Sequence, residues 1–393
     1  MPLLAIFFIF TPIKAYSPNT THHGLTSEII KFFEYYYPEI KFTNEEKEWI
    51  KNGSVDEDHD IRPMNHFYDP TNNQGLWGFS SSKDWVNDTL AQANRSRDYV
   101  SGASNFAQPL FSSETDFSWD RAVYEYVYGD KKRAMEALGH VLHLLEDATV
   151  PDHTRNDPHP PYYDEVFGQA SPYEGWASQF EESNLTVFND LSRARVRPVF
   201  YTNLDIYFDK VATFSNNNFF SKDSILSYEL PKIDKYIDVT LSSGENIKIG
   251  VNSYGYLVRR KMVLDQSSGK INTEFYIKDD DNIILNNYWS ILSKEAVKNG
   301  AGVVRLFFDK VEKEKETKTL YNKNLSWISK QIQSVKNYFS NTFSSALSPN
   351  QNIASPIVGF NNLQDITENN ILENELVVAP EVEGDVNENN DLP

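Results

Sequence analysis

Cysteine is missing from all 393 residues. That excludes a disulfide scaffold, a Cys-based zinc site and a thiol nucleophile. Long apolar runs are missing too, and nothing approaches the roughly 18 to 20 residues of a membrane-spanning helix. A basic surplus is absent: 37 Lys and Arg face 56 Asp and Glu, a net charge of −19. A protein built around a nucleic-acid footprint shows the opposite balance, so no nucleic-acid partner is expected. No Lys or Arg follows Lys336 while nine acids do, and no His follows His159. What is abundant is aromatic: 25 Phe, 22 Tyr and 7 Trp, which belong to a chain with a packed core rather than a disordered one.

Residues 2–15 read P-L-L-A-I-F-F-I-F-T-P-I-K-A. The apolar stretch Leu3 to Phe10 has the length of a signal-peptide core, although no basic residue precedes it. Residues 1–15 are therefore expected to be a signal peptide cut after Ala15, and the protein to be secreted or extracytoplasmic.

Periodicity predicts helices over 24–50, 83–108, 116–130, 131–150, 173–195 and 286–313, with Thr26 as the first N-cap. Residues 51–82 and 151–172 read as loops, and 199–235 is aromatic without a clear period. Over 237–277, Ile237, Val239 and Leu241 and then Ile247, Ile249 and Val251 alternate with polar residues between Gly-containing turns, the pattern of a small β-meander. Residues 318–343 space Tyr321, Leu325, Ile328, Ile332, Val335 and Phe339 by four and three, an apolar stripe faced by lysines. That stripe has three candidate partners: the main domain, a second copy, or a membrane surface. The stretch from about 346 onward is Asn-, Ser- and acid-rich, and is expected to be a disordered tail.

The chemistry lies in the histidines, all eight within the first 159 residues. On the 131–150 helix, His143 and Asp147 stand at i and i+4, one above the other. Asp147 is set among Leu144, Leu145, Ala148 and Val150, where an unpaired carboxylate is costly and a cation removes the cost. His153 follows just past Pro151. Upstream lie T-H-H-G-L-T, then D-E-D-H-D with Glu57 and Asp58, then N-H-F-Y-D-P with His66. Downstream, S-P-Y-E-G-W-A places Glu174 at the start of a helix. Imidazoles and carboxylates without thiols suit several Zn²⁺ ions at a hydrolytic site.

The order of these pieces resembles the zinc-dependent phospholipase C family, whose fold is shared with single-strand-specific zinc nucleases. The resemblance runs over roughly residues 16–310 and implies an all-α, multi-helix domain, here with the β-meander inserted, over about 16–315. A helix over 316–345 and an acidic tail over 346–393 follow it. It further implies two to three zinc ions. Asp58, His66, His143 and Asp147 hold one. Asp147 bridges to a second, which also takes His22 and the amino group and carbonyl of Tyr16. His153 and Glu174 hold a third. Cleavage after Ala15 then becomes chemically necessary. Two departures stand out: Tyr16 replaces the family's usual Trp, and Ala170 stands where a third His ligand is usual, with His159 the nearest replacement. His22 is preferred to His23, and Asp58 to Asp56. His140 is expected in a supporting or packing place and His59 at the surface.

The implied reaction is hydrolysis of a phosphodiester by a hydroxide held between two zinc ions, with Asp58 or Glu57 as the proton acceptor. The leading reading is a secreted phospholipase C acting on glycerophospholipids, with membrane-surface contact through 318–343. The alternatives are a single-strand nuclease or other phosphodiesterase, and a non-catalytic metal-binding surface module.

Overall fold

Pro38 splits the first stretch that sequence periodicity reads as one helix. Helix α1 spans His23–Tyr36 and α2 spans Asn44–Asp56. Thr43 starts α2 with a capping box: its hydroxyl accepts from Glu46 N–H, and the Glu46 carboxylate accepts from Thr43 N–H at 2.7 Å. This is a computed structural model, and it describes residues 17–60, 62–93, 109–158, 171–222, 229–267 and 269–346. The expected signal peptide 1–15, Tyr16, His159, Ala170 and the tail from 347 lie outside the described residues.

Helix α1 begins three residues before Thr26, so Thr26 is not an N-cap. Its side chain is buried inside the helix and serves the site described below. The expected helix over 116–130 is α3, Trp119–Tyr128, capped by Ser118. The 131–150 helix is α4, Lys131–Asp147, with Asp130 accepting from Lys132 N–H. Val150 is extended, and Pro151 then opens a one-turn helix, Pro151–Thr154. The expected helix over 173–195 is two pieces: α5, Pro172–Ala177, capped by Ser171, and a separate Val187–Arg193. The aromatic stretch that has no clear period holds α6, Leu204–Asn218. Within 83–108, only Ser82–Trp85 and Thr89–Ala93 are helical among the described residues.

The meander is present as four strands: β1 Lys235–Thr240, β2 Asn246–Asn252, β3 Gly255–Leu264 and β4 Ile271–Tyr276. They pair in chain order, each antiparallel to the next. The sheet meets α7, Ile283–Thr317, at its first turns, where Tyr288 donates to the carbonyl of Leu257. Asp279 stands in for a helix cap there, taking the N–H groups of Ile283 and Ile284 at 3.0 Å each.

The described residues are thus mostly helical, with one small antiparallel sheet. The core lies between α1, α4 and α7, on Leu25, Ile29 and Phe33, on Leu138, Val141 and Leu145, and on Val297, Val303 and Phe307. Residues up to Val335 form one unit. A second unit begins at Lys336 and is described only as the end of α8, Thr319–Ala346. Within the first unit, the start of α8 packs on α3. Tyr321 meets Tyr128, Asn324 donates to the Tyr124 hydroxyl, and Lys323 pairs with Asp120. No helix among the described residues is long and apolar enough to cross a membrane.

Candidate metal centre

Helices α2 and α4 approach so closely that side chains are excluded where they cross. A Cβ on Gly53 would lie 2.0 Å from the Glu136 carbonyl oxygen, and one on Gly139 would lie 2.0 Å from that of Ile50. This contact lets the carbonyl of Ser54 reach across to His143 Nδ1 at 2.6 Å. Because a carbonyl only accepts, Nδ1 carries the proton, and in the neutral ring Nε2 presents its lone pair to the interior.

Around that Nε2 the fold collects three chain segments. Asp58, just beyond the end of α2, offers Oδ1 at 3.8 Å. His66, from the Pro-bounded loop, brings Nδ1 to 3.3 Å. Asp147, one turn on along α4, brings Oδ2 to 3.2 Å, and that same oxygen is 2.8 Å from His66 Nδ1. His22 comes from the turn before α1. Its ring stacks on His143 at 3.7 Å, and its Nε2 is 3.4 Å from Asp147 Oδ1. Two overlapping trios have ligand atoms within 4.8 Å of one another: His22, Asp58 and His143, and His66, His143 and Asp147.

All five side chains are buried, yet neither oxygen of Asp58 nor of Asp147 is in hydrogen-bond geometry with any donor. Four buried carboxylate oxygens outside hydrogen-bond geometry are costly. A cation among them removes that cost, and a neutral-imidazole and carboxylate donor set is one that zinc accepts. The residues present therefore fit a metal.

The electrostatics agree. Burial holds His66 down at about 4, against the pull of Asp147, so it is neutral at ordinary pH. Burial also opposes charge on His143, but Asp147 and Asp58 outweigh it and raise that ring to about 10. Burial lifts Asp58 to about 6. Burial works against the Asp147 carboxylate as well, but His153 and His143 hold it well below the usual range. A cage that attracts a proton this strongly at His143 is one with excess negative potential, the condition a cation relieves.

His153 adjoins this cluster, its Nδ1 3.8 Å from Asp147 Oδ2, and meets Glu174, Nε2 to Oε1 at 3.0 Å. His153 Nδ1 faces the backbone carbonyl of His66 at 3.3 Å, and its ring stacks on Phe67. Their expected companion His159 is not among the described residues.

Glu57 stands apart from its neighbour Asp58. Arg62 donates to its Oε2 at 2.7 Å, Trp85 Nε1 donates to its Oε1 at 3.1 Å, and His140 Nδ1 also contacts Oε2. Burial disfavours its charge, but Arg62 and His140 more than compensate, and the carboxyl is held below the usual range. His140 is stacked on Phe117 at 3.9 Å. His23 pairs with Glu182 at the surface, and His59 and Asp56 pair with each other in solvent.

Two residues that sequence reasoning misses support the cluster. Glu146 Oε2 lies 2.6 Å from His22 Nδ1, and Thr26 donates to Glu146 Oε1 at 2.8 Å. A cation at His22 Nε2 requires the proton on Nδ1, and Glu146 is the acceptor placed for it. Glu146 directly precedes Asp147, but only the packing of α1 against α4 reveals which way it turns.

No protein-family model and no curated protein matches the chain. Solved structures similar to it include two alpha-toxins. One is an alpha toxin from Clostridium absonum, 12% identical with a TM-score of 0.39, over 75% of this chain and 65% of that one. The other is an alpha-toxin of Clostridium perfringens from avian strain SWCP, 14% identical with a TM-score of 0.23, over 68% of this chain and 85% of that one. This chain thus spans less than two thirds of the Clostridium absonum toxin.

Proposed function

We propose that this chain is a zinc-dependent phosphodiester hydrolase, and specifically a secreted phospholipase C acting on glycerophospholipids. The observation that carries the metal reading is the set of four buried Asp58 and Asp147 oxygens without hydrogen-bond donors, facing His22, His66 and His143. The ordered motif set of the sequence supports the choice of phosphodiester chemistry. In this reading Asp58, His66, His143 and Asp147 hold one ion. Asp147 reaches a second together with His22 and the Tyr16 backbone, and His153 and Glu174 serve a third.

Zinc held there supplies Lewis acidity towards phosphoryl oxygens and activates water at neutral pH. The protein's own residues do the rest. The Ser54 carbonyl fixes the proton of His143 on Nδ1, and Glu146, as a carboxylate, would do the same for His22, so that both Nε2 atoms face inward. Asp58 is the carboxylate placed to accept a proton. Glu57 is fully engaged by Arg62, Trp85 and His140 and holds the α2 end in place rather than moving a proton.

The test is turnover. Purified mature protein is assayed on phosphatidylcholine and on single-stranded DNA. Release of diacylglycerol and phosphocholine, abolished by chelation, is the expected result. Cleavage of DNA alone, or of neither, overturns the phospholipase reading.

A further inference from the structure

The meander carries a feature that the catalytic reading does not use. Strands alternate their side chains between faces, and the β3–β4 register pairs Leu264 with Ile271, Met262 with Thr273 and Arg260 with Phe275. Met262, Leu264 and Ile271 therefore share one face at the tip of the hairpin. Their exposures are 67%, 60% and 67%. Three large aliphatic side chains left together in water on a projecting hairpin make an apolar patch in need of a partner.

Charge says which partner. Within this hairpin Arg259, Arg260, Lys261 and Lys270 stand against Asp265 and Glu274, in a chain whose net charge is −19. Arg259 is paired with Glu245, and Asp265 is turned back onto its own loop, accepting from Ser267 N–H at 2.9 Å. Arg260 shares the face of Met262 and Leu264, its guanidinium over the Tyr236 ring, while Lys261 and Lys270 stand on the opposite face of the same hairpin. A hairpin tip with aliphatics exposed on one face and a surplus of basic residues along its strands can seat those aliphatics below a lipid headgroup layer while the basic groups stay at its level. A second copy fits less well, because two like-charged hairpins repel each other where an anionic bilayer attracts. The root of the hairpin also meets α5. Tyr276 and Lys278 line a cavity of about 780 Å³ with Pro172, Gly175 and Trp176 of α5, the helix that carries Glu174.

We propose that the β3–β4 tip, through Met262, Leu264 and Ile271, docks the protein on an anionic lipid surface. Docking is scored apart from hydrolysis, so a chain that turns nothing over still tests it. The full chain is co-sedimented with vesicles of phosphatidylcholine alone and of phosphatidylcholine mixed with phosphatidylserine. Stronger binding to the anionic vesicles, weakened by salt, is expected. Replacing the three together, Met262→Ser, Leu264→Ser and Ile271→Ser, is expected to weaken that binding by roughly a hundredfold. Turnover of a soluble short-chain substrate and metal content should both be unchanged in that variant.

Should the triple variant fail to fold, Leu264→Trp alone serves: its fluorescence should shift to the blue on anionic vesicles. Equal binding by wild type and triple variant, no binding by either, or no shift in the Trp variant overturns the proposal. So does a wild-type dimer that the triple variant abolishes, which assigns the face to a second copy.

Discussion

His143 Nδ1 stands 2.6 Å from the carbonyl oxygen of Ser54, one residue from where Gly53 meets α4. The two contacts are one device. The close crossing of α2 and α4 brings a backbone acceptor within reach of the imidazole, and that acceptor decides which ring nitrogen faces Asp147.

The crossing can be tested directly. In an ordinary helix interior, Gly to Ala stabilises by roughly 1 kcal/mol. In Gly139→Ala the new methyl would meet the Ile50 carbonyl at 2.0 Å. The helices must part, at a cost of about 1–3 kcal/mol or more. Thermal unfolding should fall and metal content should fall with it. A stabilised variant with full metal content would contradict this role.

Asp147 turns Oδ1 towards His22 and Oδ2 towards His66 and His143, and in the proposed reading it would bridge two ions. Asp147→Ala should therefore lose two ions together in metal analysis. The loss of a single ion would refute the bridging place.

Glu146 Oε2 lies 2.6 Å from His22 Nδ1, behind the ring proposed to hold metal. Removing such a carboxylate behind a ligand imidazole lowers metal affinity by roughly 10- to 100-fold. Glu146→Ala should show that drop in a competition titration against a chelator. Glu182→Ala, which removes the partner of the neighbouring His23, should not. Equal effects from both would mean that Glu146 is merely structural.

Away from the metal centre, Asp116 is fully buried, and burial raises it to about 6 from an ordinary 3.8. A carboxyl raised on folding favours the folded state when protonated. Its contribution is complete below pH 3.8 and is lost as pH rises through 6. Asp116→Asn should remove this dependence. Relative to the variant, wild type should lose about 2–3 kcal/mol between pH 4 and 6. Denaturant unfolding of both proteins across that range measures the difference, and parallel curves would contradict it.

Legibility in the sequence followed the reach of each signal. The meander could be read because alternation of Ile247, Ile249 and Val251 is local. Helix α4 could be read because its apolar face is long and Pro151 stops it. Helix α6 is hidden although Tyr207, Phe208, Val211, Ala212 and Ser215 keep helical spacing, because Phe214 interrupts its polar face and Phe219 and Phe220 carry the aromatic run past its end. The break between α1 and α2 was missed because Ile40 and Phe42 carry the apolar pattern across Pro38. At the candidate site, His22, Asp58, His66, His143 and Asp147 converge, and each was singled out by its neighbours in the chain. Glu146, Thr26 and the Ser54 carbonyl were not, because their places come from packing between helices more than 25 residues apart in the chain.

The most direct test of the central claim is the zinc content of the purified chain after folding with zinc. Two to three ions per chain are expected, released by chelation together with a fall in thermal stability, since the Asp58 and Asp147 carboxylates are then left buried without a counter-charge. Less than one zinc per chain, with stability indifferent to chelator, would contradict the account.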